Sequence, residues 1–335
     1  MTPDTGYHGP PELTVSRMLT TWHPDPAVLL ALAVIAAGYL MAVVTARRRG
    51  RAWPLRRSTA FAAALATTAL VTVSFIGVYA DTLFWVRAVQ LTTLFMIVPL
   101  FAALTRPLTL AAALLPARHT ARARSAFYSR PVRALAHPAT GAVLFMGLPW
   151  VVFFTGWLPA MLQSRTVDIA TAVLLVAVGF LYYWGRLQLD PVPSRYSPLV
   201  SLFVAFAEVL LNAVLGLLLI YAMGAGIAHG YYAGLNRPWG MSLSLDEQTG
   251  GGAYWVLGHA IGIPYLAIVF RRAVRHDQRA AAAIDATLDR HAPAHTREDA
   301  SSEMMRPWWE TDPAVAHLGL NTPRKVTGTA PRSPS

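Results

Sequence analysis

Apolar residues gather in this chain into stretches of about 20, the length a bilayer core demands and well beyond that of a buried strand. They fall near 27–46, 58–79, 83–104, 140–162, 167–187, 198–223 and 253–270, with polar connections between them. In lipid every backbone amide must be satisfied within its own segment, so each run is expected to be a helix. The pattern therefore predicts an all-α, polytopic membrane protein with seven transmembrane helices spanning 27–271. The polar stretch 1–26, with His8, Arg17 and His23, lacks the basic-then-apolar layout of a cleaved signal peptide and reads as a short extracytoplasmic tail. Alanine and scattered charge over 272–290 suit an exposed cytoplasmic helical extension. From 291 to 335 Pro, Ser, Thr and charge dominate, and a disordered cytoplasmic tail is expected, interrupted by the sticky or docking stretch around Trp308 and Trp309.

Charge orients the runs. Arginines cluster after the first run (Arg47, Arg48, Arg49), the third (Arg118, Arg122, Arg124), the fifth (Arg186, Arg195) and the seventh (Arg271, Arg272, Arg275). The alternate connections are nearly free of cations, so the basic ones face the cytoplasm, the amino terminus lies outside and the carboxyl terminus inside. On that arrangement the expected location is a cell membrane, crossed several times. Composition agrees: 55% hydrophobic residues, 13% charged and a mean hydropathy of +0.42. The net charge of +11 is explained by these loops, so nucleic acid is not an expected partner; the lipid bilayer is. The absence of cysteine excludes disulfides, thiolate metal sites and cysteine nucleophiles. No Walker loop, His-Glu-x-x-His or Gly-x-Ser-x-Gly motif occurs, and no enzyme is expected.

Ionisable and amide groups within apolar runs are costly, which makes each a functional candidate. Arg87 and Asp168 begin the third and fifth runs at matching depth, where an ion pair is feasible. Glu208 and Asn212 lie one turn apart in the sixth run, suited to hydrogen bonds between helices. His259 in the seventh run and His229 before it, with Met223 nearby, are weak metal candidates, because a closed site needs three or four convergent ligands. The most distinctive stretch is Asp246-Glu247-Gln248-Thr249-Gly250-Gly251-Gly252, followed by Trp255, directly before the last run. Its glycines suit close backbone packing, Asp246 suits a helix start, and the segment reads as an outward-facing hinge into the seventh span.

That stretch resembles the Asp-Gln-Gln-x-x-Gly…Trp motif of the CtaG family of cytochrome c oxidase assembly factors. Pro99 with Arg106-Pro107-Leu108, Leu158-Pro159-Ala160, Gly179 to Trp184 and Asp190-Pro191 follow in the same order. The resemblance covers roughly 22–279 and implies a seven-span assembly protein whose partners are cytochrome c oxidase subunits or other assembly factors. It also implies copper as a possible cargo, held by histidines near the outer face. Here the chain departs from the pattern. The family's His-Met-x-x-His is Arg87-Ala88-Val89-Gln90-Leu91, its histidine before Leu-Pro is Trp157, and its Val-His is Val167-Asp168. A guanidinium has no lone pair to give a metal. The expectation is an assembly protein acting in copper insertion or, with its ligands lost, as a scaffold; a small-solute or copper permeation protein and a purely structural membrane subunit are the alternatives.

Overall fold

A computed structural model of the chain describes residues 6–192, 198–221 and 229–291. Met223 and the stretch around Trp308 and Trp309 lie outside them, as does the rest of 292–335. Every regular element among the described residues is helical. Residues Met1–Ala273 form one compact unit; in the second, Val274–Ser335, the described residues are helical.

The centre of the first unit is the run from Phe84 to Leu104, the most buried of the membrane-length helices. It comprises α5 (Phe84–Thr92), a π-helical stretch (Thr93–Ile97) and α6 (Val98–Leu104). The widened turn has a local cause. Pro99 has no N–H, so the Phe95 carbonyl loses its usual partner four residues on. The Val98 amide bonds instead to the Thr93 carbonyl. α12 (Arg165–Leu187) lies against this turn, with Gly179 at the crossing; a Cβ there would run into the Phe95 carbonyl and the Pro99 ring. Below the crossing, Phe95, Phe145 and Tyr182 stack, with centroids 4.3 and 4.0 Å apart. Such aromatic stacking adds about 0.5–1.5 kcal/mol per pair beyond area burial.

The remaining helices surround this centre. α2 (Pro26–Arg48) is almost wholly exposed except near Val43 and Ala46, which pack with Trp53 and Leu110. An apolar helix with so little protein contact suits a lipid surround. α3 (Leu55–Val73) is followed by the short α4 (Phe75–Tyr79). α7 (Pro107–Leu114), α8 (Ala117–Phe127) and α9 (Arg130–Leu135) form a basic connection to α10 (Pro138–Phe154) and α11 (Trp157–Gln163). α13 (Pro198–Tyr221), α14 (His229–Gly234) and α15 (Leu243–His291) complete the chain.

Among the described residues, five helices are long and apolar enough to cross a membrane, rather than the expected seven. A sixth arises if α10 and α11 are one span, but they bend by 68°. The bend has a cause in the sequence: Thr155 is extended and its hydroxyl accepts the Trp157 amide, starting a new helix after Gly156. The seventh expected run, 253–270, lies within α15. Nor is the amino-terminal segment a free tail. α1 (Val15–Thr20) and its flanks are seated on α3 and α4, with the Tyr79 hydroxyl donating to the Pro11 carbonyl at 2.8 Å and the His23 amide to Val73 at 2.8 Å.

Candidate functional site

Arg87 stands one turn into α5 and faces α12. Its side chain is only 3% exposed. One terminal nitrogen donates to Asp168, in the first turn of α12, at 2.8 Å and to the Gln90 amide oxygen at 3.0 Å. The other donates to Asp81, in the turn between α4 and α5. Gln90 in turn donates to the Val71 carbonyl at 2.8 Å, so the cluster links α3, α5 and α12. A buried guanidinium needs such compensation, since an unpaired buried charge costs several kcal/mol. The carboxylates keep part of their hydration: the Asp81 side chain is 61% exposed and that of Asp168 37%. A cavity of about 700 Å³ opens beside them, lined among others by His23, Asp81, Gln90, Leu91, Met161 and Asp168. Trp157 sits close by in sequence and space, its indole N–H donating to Thr171 at 2.9 Å, one turn after Asp168. The third member of the cluster, Asp81, carries no sequence signal of its own: one aspartate in a short polar turn is ordinarily a solvated residue.

The Asp246 segment is built differently from the expected hinge. It lies inside α15, in the helix's first turns, so the glycines do not form a joint. Asp246 is completely buried and accepts the backbone N–H groups of Phe84 at 3.2 Å and Trp85 at 3.0 Å. Leu83, at the N-cap of α5, has no side chain able to do this. Asp246 thus caps another helix rather than its own. Arg237 adds a longer contact to the same carboxylate at 3.5 Å and donates to the Met241 carbonyl at 3.0 Å. Burial pushes the Asp246 carboxyl above the usual range, and the two amides and Arg237 pull it partly back. Burial likewise raises Glu247, against the pull of His229 at 3.1 Å.

Gly250 and Gly251 explain how the cap is reached. A Cβ on Gly250 would strike the Phe84 ring and lie 3.1 Å from the Trp85 Cα; one on Gly251 would lie 2.7 Å from the Ile220 amide nitrogen in α13. Gly252 faces open space. Gln248 is exposed, and Trp255 is half-exposed, packed over Gly216 and tilted against the His259 ring at 4.8 Å.

Glu208 and Asn212 do not act as a pair. Glu208 accepts from the Tyr182 hydroxyl on α12, and Asn212 from the Tyr254 hydroxyl on α15 at 2.9 Å. Both tie helices together. Arg186 lies over the Tyr182 and Tyr265 rings, 5.4 and 5.8 Å from their centroids, and its Nε donates to the Tyr265 hydroxyl at 3.3 Å. Asp190 repeats the capping device at the far end of the central run. It accepts the Leu108 and Thr109 amides of α7 at 3.1 and 3.0 Å.

The two histidine candidates are not brought together. His229 faces Glu247, and His259 donates from Nδ1 to the Trp255 carbonyl at 2.7 Å on its own helix. Among the described residues no group of three or more His, Cys, Asp or Glu is arranged to hold a metal ion. The residues at the positions where the resemblance implies ligands do not fit copper either: Arg87 and Leu91 offer no lone pair, and Asp168 is engaged by Arg87.

Apolar membrane-length helices around one central run, closed at one end by a buried arginine–carboxylate cluster, define a helical membrane protein without an evident catalytic centre among its described residues. The chain belongs to the cytochrome c oxidase caa3 assembly factor (Caa3_CtaG) family, which it matches over residues 37–276. It is 30% identical over 301 residues to uncharacterized proteins of Mycobacterium bovis and Mycobacterium tuberculosis, and 27% identical to one of Mycobacterium leprae. Each match covers 88% of this chain but 45% of the relative, so the chain spans a little under half the length of these curated relatives. No solved structure matches it.

Proposed function

We propose that this protein assists cytochrome c oxidase assembly as a membrane-embedded scaffold, binding oxidase subunits or other assembly factors, and neither carries copper at the Arg87 position nor catalyses a reaction. The observation that carries this reading is the Arg87 cluster. Where the family resemblance expects imidazoles, a guanidinium is paired with Asp168 and Asp81, which balances its charge without a metal. The Asp246–Trp255 segment then serves as architecture, fixing the start of the central run through the amides of Phe84 and Trp85. We place this end of the molecule on the outer face of the bacterial plasma membrane, because the basic connections lie at the other end.

Permeation is disfavoured by the same inventory. A polar path needs groups free to pass an ion or solute, and Glu208, Asn212 and His259 are each held by a hydrogen bond. Three measurements test the reading. Deleting the gene is expected to lower oxidase activity, and oxidase subunits are expected to co-purify with the tagged full chain. Copper analysis of the purified protein is expected to give far less than one ion per chain. Tight, near-stoichiometric copper lost on substituting His229 or His259 would overturn the scaffold reading, and an unchanged oxidase level after deletion would overturn the role in assembly.

A further inference from the structure

The connection from α7 to α10 forms a second feature, independent of the assembly reading. Between residues 82 and 167 the sequence contains no aspartate or glutamate, yet the connection carries Arg118, Arg122, Arg124, Arg130 and Arg133. Where α9 meets α10, an open cavity of about 410 Å³ is lined by Arg130, Arg133, Ala134, His137 and Thr140. Arg130 and Arg133 are exposed, and among the described residues neither is ion-paired. Arg133 uses one nitrogen on the Tyr128 carbonyl at 3.0 Å, which steadies it and leaves other donors. The Nδ1 of His137 accepts the Ala139 amide at 3.3 Å, so in the neutral ring the proton sits on Nε2, a further donor. The cavity wall thus carries hydrogen-bond donors and positive charge, with no acid among its lining residues.

From this we infer that the cavity binds the phosphodiester headgroup of an anionic phospholipid. Guanidinium forks match phosphate oxygens, and paired cations hold a phosphate better than either alone. A lipid rather than a soluble phosphate fits the surroundings. Leu135, on the same helix as both arginines, is 53% exposed, and the apolar α10 starts three residues further on. An acyl chain can follow that apolar surface while its phosphate stays at the arginines. Basic pockets at membrane level take anionic lipid headgroups for the same reason.

The test uses the full chain purified in neutral detergent, examined by native mass spectrometry with equal amounts of phosphatidylglycerol and phosphatidylcholine. The wild type is expected to retain phosphatidylglycerol selectively. With each arginine near a membrane surface worth about fivefold, Arg130→Gln with Arg133→Gln should cut that selectivity roughly twenty- to thirtyfold. Arg47→Gln with Arg48→Gln, on another connection, should leave it unchanged. In the wild type, raising salt from low to physiological strength should weaken retention, a readout that stands even if the double variant does not fold. Equal retention of both lipids, or selectivity indifferent to the double substitution and to salt, overturns the proposal. Millimolar inorganic phosphate displacing the lipid completely would do so too, by showing a free-anion site.

Discussion

Arg87 and Arg186 sit near opposite ends of the α5–α6 and α12 pair, and aromatic rings take part in holding only the second. Arg87 has direct carboxylate partners, two of them half-open to solvent, and a glutamine oxygen. Arg186 has tyrosine ring faces and a tyrosine hydroxyl, with the carboxylate of Glu208 one residue removed behind Tyr182. The first arrangement resembles a surface ion pair pushed inward; in the second, aromatic ring faces contribute directly to holding the cation. A network of the first kind tolerates loss of its cation, because the stranded carboxylates can hydrate. It does not tolerate loss of its anions, because the stranded cation cannot.

The largest expected effect follows from that asymmetry. Asp81→Asn combined with Asp168→Asn leaves the Arg87 charge buried and should destabilise the protein by about 3–5 kcal/mol, read by thermal unfolding in detergent. Arg87→Gln should cost clearly less; if it costs more, the asymmetry is wrong. Next, Tyr182→Phe should cost about 1–3 kcal/mol by leaving buried Glu208 without its donor. A cost near zero would mean Glu208 is satisfied by other groups. Gly250→Ala drives a methyl into Phe84 and should cost about 1–3 kcal/mol, whereas Gly252→Ala should be neutral or slightly stabilising. Equal effects at the two glycines would remove the argument for close packing.

The smallest effect concerns Asp246, whose cap is worth about 1 kcal/mol. Its carboxyl titrates higher in the folded protein than in the unfolded chain. The folded state therefore takes up a proton first as pH falls, and the wild type gains stability from neutral pH down towards its unfolded value near 4. Asp246→Asn cannot titrate, so the stability gap between wild type and variant should shift in favour of the wild type over that range. A gap independent of pH would show that the carboxyl is not the titrating group.

What could be read from the chain divides along similar lines. Arg87 and Asp168 announced themselves because charge inside an apolar run is rare. Asp246, Gly250 and Gly251 stood out as a cluster and the glycines suggested close packing, but the helix that Asp246 caps could not be read. A helix N-cap supplied from 162 residues away leaves no local pattern, and the same holds for Asp190 on α7. The apolar runs located the membrane helices, but hydrophobicity cannot see the bend at Thr155 and Gly156 that divides the fourth run into α10 and α11. Arg186 reads from the sequence as a loop cation, since nothing in spacing joins it to the Tyr265 ring on α15.

The widened turn at Thr93–Ile97 has a geometric corollary. A helix advances about 100° of rotation per residue, and a π turn absorbs one residue more than the regular repeat. The half of the central run that carries Arg87 and Gln90 is therefore phased against the half that carries Pro99 by this single supernumerary position. Were the same residues wound as a regular helix, without the widened turn, the extra residue would instead swing one half by about 100° relative to the other. With the Gly179 crossing holding the lower half, Arg87 would be carried away from Asp168. One peptide unit acts as the timing mark between the two ends of the molecule.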